Sequence, residues 1–176
     1  MENFIVGGGY SMGRDPKADG IVIARATRED APAIHILLRA LSRALDRPHD
    51  VRSTPDDIAR YGFGPSPVFE TVMARRGGAP VGLALFFYEF STWRGCPGVY
   101  IQDLYVDDAL RGSGLGRRLL AAVTAHATER EATYMRLSVD VGNDEGLGFY
   151  GRLGFTAPNE QTLVLEGAHF SALANL

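Results

Sequence analysis

A chain of 176 residues, 45% of them hydrophobic, can bury one proper core and is short for two. Its 18 basic and 21 acidic side chains, a net charge of -3, are spread along the sequence, so no basic block marks a nucleic-acid partner and none is expected. A lone cysteine, Cys96, rules out a disulfide framework within the chain, and no apolar run approaches the roughly 20 residues of a membrane span. Residues 1–20, with Gly7-Gly8-Gly9 and a polar run after them, offer little to bury and lack the apolar stretch of a signal peptide. They are expected to form a flexible leader to one domain over residues 21–176, in the cytoplasm.

Residues 21–26 alternate as a strand, and Asp30 is placed to cap a helix whose Ile34, Leu37, Leu38, Leu41 and Leu45 share one face. After a loop at 47–53, Thr54 and Pro55 open a second helix that stops near Gly62 to Pro65. Residues 68–74 and 81–90 read as a hairpin. A third run, 99–106, follows a turn expected at Gly95-Cys96-Pro97-Gly98. The period then changes. Leu115, Leu119, Leu120, Val123 and Ala127 mark a helix, and Met135, Leu137 and Val139 a strand. Residues 148–153 form a short helix and 163–165 a closing strand. The order β-α-α-β-β-β-α-β-α-β predicts an α/β fold with a mixed, mostly antiparallel sheet flanked by helices.

The richest segment in chemistry joins the third strand of that meander to its helix: Arg111-Gly112-Ser113-Gly114-Leu115-Gly116-Arg117. Glycines let the backbone turn and approach a ligand closely, and the first turn of the helix offers unpaired N–H groups at its positive end. Arg117 and Arg118 in that turn oppose the dipole unless an anion offsets them, so a pyrophosphate fits. A Walker loop would need Lys-Ser/Thr after its last glycine, and the dinucleotide fingerprint spaces its glycines more widely.

Arg111-x-x-Gly114-x-Gly116 resembles the coenzyme A signature of the GNAT superfamily of N-acetyltransferases. From about residue 68 to 155 the chain is similar to this superfamily. The run 86–95, opening Phe86-Phe87-Tyr88-Glu89 and closing Thr92-Trp93-Arg94-Gly95, and the run Tyr100-Ile101-Gln102-Asp103-Leu104-Tyr105-Val106 resemble its diamine branch, which acts on spermidine, spermine and thialysine. The resemblance implies that acetyl-CoA is the co-substrate, that the backbone at Leu104, Tyr105 and Val106 pairs with its pantetheine arm, and that the amides of residues 112–117 hold its pyrophosphate. It further implies that Asn143 and Tyr150 face the thioester, that the acceptor is a small amine, and that the protein is a homodimer.

A phenol at Tyr150 suits protonation of the departing thiolate. Where relatives carry a glutamate base, this chain has Gln102. A primary amine of pKa near 10.4 is deprotonated in roughly one molecule in 2,500 at pH 7, about 4.6 kcal/mol uphill, and an amide cannot accept that proton. Asp103, next to Gln102, is the alternative base, acting at a bulge or through water. Glu89, Trp93 and Glu160, with Gln102 and Asp103, are candidates for holding a cationic amine by ion pairing and cation–π contact. His35, His49, His126 and His169 lack metal-ligand spacing, so no metal is expected. Two other readings stay open: an acyl-CoA-binding sensor without turnover, suggested by Gln102, and a protein-lysine or N-terminal acetyltransferase.

Overall fold

A computed structural model describes residues 20–47, 49, 51–157 and 162–173. The expected leader, apart from Gly20, and Glu160 lie outside them. The described chain divides into two compact units at Ser138/Val139.

The first unit is a five-stranded sheet in the order β1-β2-β3-β4-β5: β1 (Ile21–Arg25), β2 (Glu70–Arg76), β3 (Ala79–Ser91), β4 (Cys96–Val106) and β5 (Tyr134–Leu137). Neighbours run antiparallel except β4 and β5, which are parallel and joined through a helix, as a parallel crossover requires. Alternation along β3 sends Leu83 and Leu85 to one face and Ala84 and Phe86 to the other. On the first face lie α1 (Ala31–Ala44) and α2 (Pro55–Phe63). There Ile34, Leu37, Leu38 and Ile58 close a core with Met73, Leu83, Leu85 and Tyr105, each large side chain worth roughly 1.5–3 kcal/mol on burial. On the second face α3 (Leu115–Thr128) buries Leu115, Leu119, Leu120, Val123 and Ala127.

Local chemistry sets the element ends. Thr54 and Asp57 exchange bonds, Thr54 N–H to Asp57 Oδ2 at 2.8 Å and Asp57 N–H to Thr54 Oγ1 at 3.1 Å, a capping box that starts α2. Asp30 holds the N-cap position of α1, as expected, without a side-chain bond to that helix's amides. It is the far half of a box begun by Thr27, whose N–H it accepts at 2.8 Å, and it pairs with Arg75. The buried His126 near the end of α3 places Nε2 2.6 Å from Glu70 Oε2, a cation-binding end of a helix meeting a carboxylate.

Three expectations are corrected. The β3–β4 turn is made by residues 92–95, with Gly95 at φ 65°, and not by 95–98. Cys96 and Pro97 already pair with Ser91 and Phe90; proline is tolerated because it opens the strand. Gly98 serves packing instead of turning: a Cβ there would stand 2.3 Å from the Tyr134 ring on β5. Gly98→Ala is therefore expected to lower stability by about 1–3 kcal/mol through overpacking, measured by denaturant unfolding; an unchanged midpoint would show that the ring moves aside freely.

The second unit holds α4 (Asp144–Arg152) and α5 (Gly167–Leu173). The closing strand expected at 163–165 does not form. Leu163 and Val164 are 90% and 75% exposed and pair with no strand among the described residues; β-branched and apolar residues make a strand only where a neighbour completes the ladder. The short helix expected at 148–153 begins earlier, at Asp144, because Asn143 caps it, its Oδ1 accepting the Gly146 N–H at 2.8 Å.

Candidate active site

One irregularity organises the first unit's chemistry. Along β4, Asp103 sits opposite Leu85 while Ile101 sits opposite Phe86, so Gln102 is an extra residue in the ladder. Such a bulge turns the strand by half a period. Ile101 stays in the core beside Phe86, whereas Asp103 joins Leu85 and Tyr100 joins Phe87 on the face that carries α1 and α2. Gln102 is exposed and Asp103 half-buried.

The bulge also marks where β4 loses its outer neighbour. Pairing with β5 covers Gly98 to Ile101 and ends at Leu137, while β4 continues to Val106. The side of residues 102–106 turned away from β3 therefore offers backbone N–H and C=O groups with no strand opposite them among the described residues, an edge that an extended amide-bearing chain can join.

Asp103 lies on this edge with no donor reaching its carboxyl among the described residues, and burial pushes its pKa up to about 6. Beside it the Phe87 and Tyr100 rings stack, centroids 5.1 Å apart at 21°. The Tyr100 hydroxyl donates to Ser138 Oγ at 2.7 Å, which fixes the ring. Further along the same face come Glu89 and, from β5, Arg136, with Arg136 Nη1 3.7 Å from Glu89 Oε1. Phe87, Tyr100 and Arg136 were not singled out from sequence, although an aromatic pair and a cation in strands otherwise full of aliphatic residues were a usable sign. Trp93 is not brought to Glu89: it stands at the tip of the β3–β4 turn, 98% exposed.

Past β4 the chain makes a short turn capped by Asp107, whose Oδ1 accepts from Ala109 at 3.0 Å, and enters α3 through Gly112 and Gly114 at φ 74° and 85°. Gly114 is the N-cap, so no side chain covers the first amides of the helix, and the first helical bond runs from Arg118 N–H to the Gly114 carbonyl at 3.1 Å. Leu115, Gly116 and Arg117 thus begin a 14-residue helix with amides available to an anion. Arg111 pairs with Asp108 at 2.8 Å and Arg117 is exposed. Arg118 is a correction to the pair of arginines read as anion ligands: its Nη2 donates to the Ile21 carbonyl at 3.1 Å, tying α3 to β1.

Within the second unit, Tyr150 packs edge-on between Phe149 and Phe155, centroids 5.0 and 5.5 Å away, and burial raises its phenol above the ordinary value. The seven-residue step from Asn143 to Tyr150 is two helical turns, so the cap and the phenol lie along one side of α4.

The sequence matches the Acetyltransferase (GNAT) family over residues 34–155. The chain belongs to the GNAT family. It is an acetyl-transferring enzyme, which removes the sensor reading. Among GNAT relatives it is 28% identical over 142 residues to the thialysine N-epsilon-acetyltransferase of Bos taurus, covering 76% of this chain and 83% of that one. It is 26% identical to the spermidine/spermine N(1)-acetyltransferase-like protein 1 of Homo sapiens, covering 80% of this chain and 21% of that longer one. The fold is shared with an aminoglycoside acetyltransferase from an uncultured soil metagenomic sample solved with trehalose, at a TM-score of 0.72 and 20% identity over 85% of this chain and 97% of that one. The mostly antiparallel sheet with flanking helices is thus the GNAT fold, as expected. Among the described residues no helix is long and apolar enough to cross a membrane.

Proposed function

We propose that this enzyme transfers acetyl from acetyl-CoA to the primary amine of a small cationic acceptor, a di- or polyamine or a thialysine-like amino acid, by direct attack. The observation that carries the reading is Asp103: a carboxylate with no donor among the described residues, pKa about 6, next to the bulge where β4–β5 pairing stops and on the face of an aromatic pair.

At pH 7 such a carboxylate is ionised and, at about 6, is a better proton acceptor than an ordinary aspartate. It takes the proton from the ammonium, directly or through water, and the freed nitrogen attacks the thioester carbonyl. The C–S bond breaks as the amide forms, the thiolate takes the Tyr150 proton, and the second proton shed by the acylated nitrogen restores the phenol. A phenol raised above its ordinary value holds that proton until the sulfur becomes basic. Gln102, an amide, cannot accept the ammonium's proton; it is the extra residue in the ladder next to Asp103. Phe87 and Tyr100 give the cation an aromatic surface, and Glu89 supplies a second carboxylate.

The residues fit the co-substrate at both ends. The open edge at Leu104, Tyr105 and Val106 suits the pantetheine amides, and the uncapped turn at Gly112, Ser113, Gly114, Leu115, Gly116 and Arg117 suits the pyrophosphate, with Arg111 beside it. Because the family match runs across Ser138/Val139, we take residues 21–176 to act as one catalytic domain, and the diamine-branch resemblance supports a homodimer.

The test is release of free CoA from acetyl-CoA with spermidine, putrescine, lysine, thialysine, an aminoglycoside and a lysine peptide. Amine-dependent release with the small acceptors is expected; release with the peptide alone would move the assignment to protein-lysine acetylation. In the same assay Gly114→Ala, which forces a side chain into a left-handed backbone at the N-cap, is expected to raise the KM for acetyl-CoA at least several-fold and leave the amine KM alone. An unchanged KM would remove this turn from pyrophosphate binding.

A further inference from the structure

The far end of α3, about 17 Å along the helix from the glycine turn at 1.5 Å per residue, carries a charged cluster that acetyl transfer does not use. His126 is 6% exposed, yet both of its ring nitrogens face carboxylates. Nε2 lies 2.6 Å from Glu70 Oε2 on β2, and Nδ1 lies 3.3 Å from Glu129 Oε2 at the end of its own helix. Each carboxylate also accepts from an arginine: Arg130 Nη2 is 2.7 Å from Glu70 Oε1, and Arg25 Nη2, on β1, is 2.7 Å from Glu129 Oε2. From β3, the Phe86 and Tyr88 rings stand edge-on to the imidazole, centroids 6.0 and 6.5 Å away, and Arg130 lies over the Tyr88 ring at 4.4 Å.

These contacts fix where the protons are. A neutral imidazole has one N–H and one bare lone pair, and here that lone pair would point at a carboxylate. Each carboxylate already accepts from a guanidinium, so the proton that completes both contacts belongs to the ring. With it, Arg25, Glu129, His126, Glu70 and Arg130 form one row of alternating charge, set at a helix end that itself favours a cation.

We propose that His126 is a pH-operated latch: as the imidazolium it ties the end of α3 to β2 and, through Glu129 and Arg25, to β1, and on losing its second proton it lets β1 go. The 3.3 Å contact is the weaker, and its carboxylate is the more open, the Glu129 side chain being 67% exposed against 25% for Glu70. The neutral ring therefore keeps its N–H on Glu70 and turns a lone pair to Glu129, which moves out into solvent with Arg25. α3 holds β1 at two points, Arg118 on the Ile21 carbonyl and Glu129 on Arg25, and only the second responds to pH. Since β1 is an edge strand, the latch releases its last rung, Ala26 N–H to the Thr71 carbonyl at 2.8 Å. That rung borders a cleft of about 260 Å³ lined by Ala26, Phe63, Val72 and Phe86. The latch's contribution to stability is full below about pH 6.5, the ordinary value for histidine, and is lost as rising pH strips the folded ring of its second proton.

The test follows the full chain from pH 5.5 to 9.5. Nitrogen NMR of the assigned His126 ring reads its protonation state, and hydrogen exchange, corrected for the intrinsic pH dependence, reads Ala26 against amides of the β3–β4 ladder. At pH 7.5, where a free imidazole has shed about nine-tenths of its second proton, His126 is expected to keep both. As the ring titrates above that, protection at Ala26 is expected to fall at least ten-fold while the β3–β4 amides hold. Glu129→Gln, at an exposed position, is expected to leave Ala26 equally weakly protected across the whole range. A ring already neutral at pH 7.5, or a loss of Ala26 protection that follows pH alike in wild type and Glu129→Gln, would overturn the proposal. The wild-type ring decides even where the variant fails to fold.

Discussion

Asp103→Asn is expected to lower kcat/KM by about 10²–10³, the range for a lost general base, and at the same time to make the protein more stable. The two signs have one cause. Burial holds the folded-state pKa at about 6 against an ordinary 3.8, so ionising this carboxyl costs the native state more than the unfolded chain. Below pH 3.8 neither state carries the charge and there is no penalty. Stability is lost as pH rises towards 6 and stays lost above it. Allowing for the partial exposure of Asp103, the neutral amide is expected to recover on the order of 1–2 kcal/mol at pH 7 and nothing near pH 3. Wild-type kcat/KM should show a limb rising through about pH 6 on top of the steeper demand for free amine, and the variant should keep only the latter. If Asp103 were a structural hydrogen-bonder, the amide would lower the melting temperature; a less stable, still active variant would end its candidacy as the base.

Tyr150→Phe is expected to cost about 10²–10³ in kcat with little change in either KM, because the hydroxyl acts when sulfur leaves and not when substrates bind. Burial raises the phenol, so it stays protonated across the physiological range and the wild-type rate should show no descending limb there. A control separates acid catalysis from packing. With an acetyl thioester of a more acidic thiol, whose sulfur needs no proton to depart, the variant should recover most of its deficit. A deficit of equal size with both thioesters would make Tyr150 a packing residue between Phe149 and Phe155, and the acid would have to be sought elsewhere.

The order of elements was legible because apolar spacing changes from two to between three and four just where strands give way to helices, as at Val106 and Leu115. The turn before α3 was legible because Gly112 and Gly114 have no other economical explanation. What stayed hidden lies where two demands overlap on one residue. Pro97 and Gly98 look like turn formers, yet one opens a strand and the other makes room for Tyr134, a contact between segments 36 positions apart in sequence. The run Leu163-Val164-Leu165 has strand composition, but pairing depends on a neighbour that composition cannot report. Gln102 could be flagged as a missing base. That it is also the residue added to the ladder, and that Asp103 therefore faces the aromatic wall, depends on register with β3, to which alternation within β4 is blind.

That added residue gives the strand a phase. Without Gln102 the ladder would close flush, Leu85 opposite Asp103 and Phe86 opposite Ile101, with each hydrophobic side chain still on its present side. What the deletion would remove is the extra residue at the point where pairing with β5 stops, just past Ile101. A one-codon deletion there is thus expected to disturb the strand edge beside Asp103 while sparing the core. In this chain catalytic capacity is a matter of counting as much as of composition.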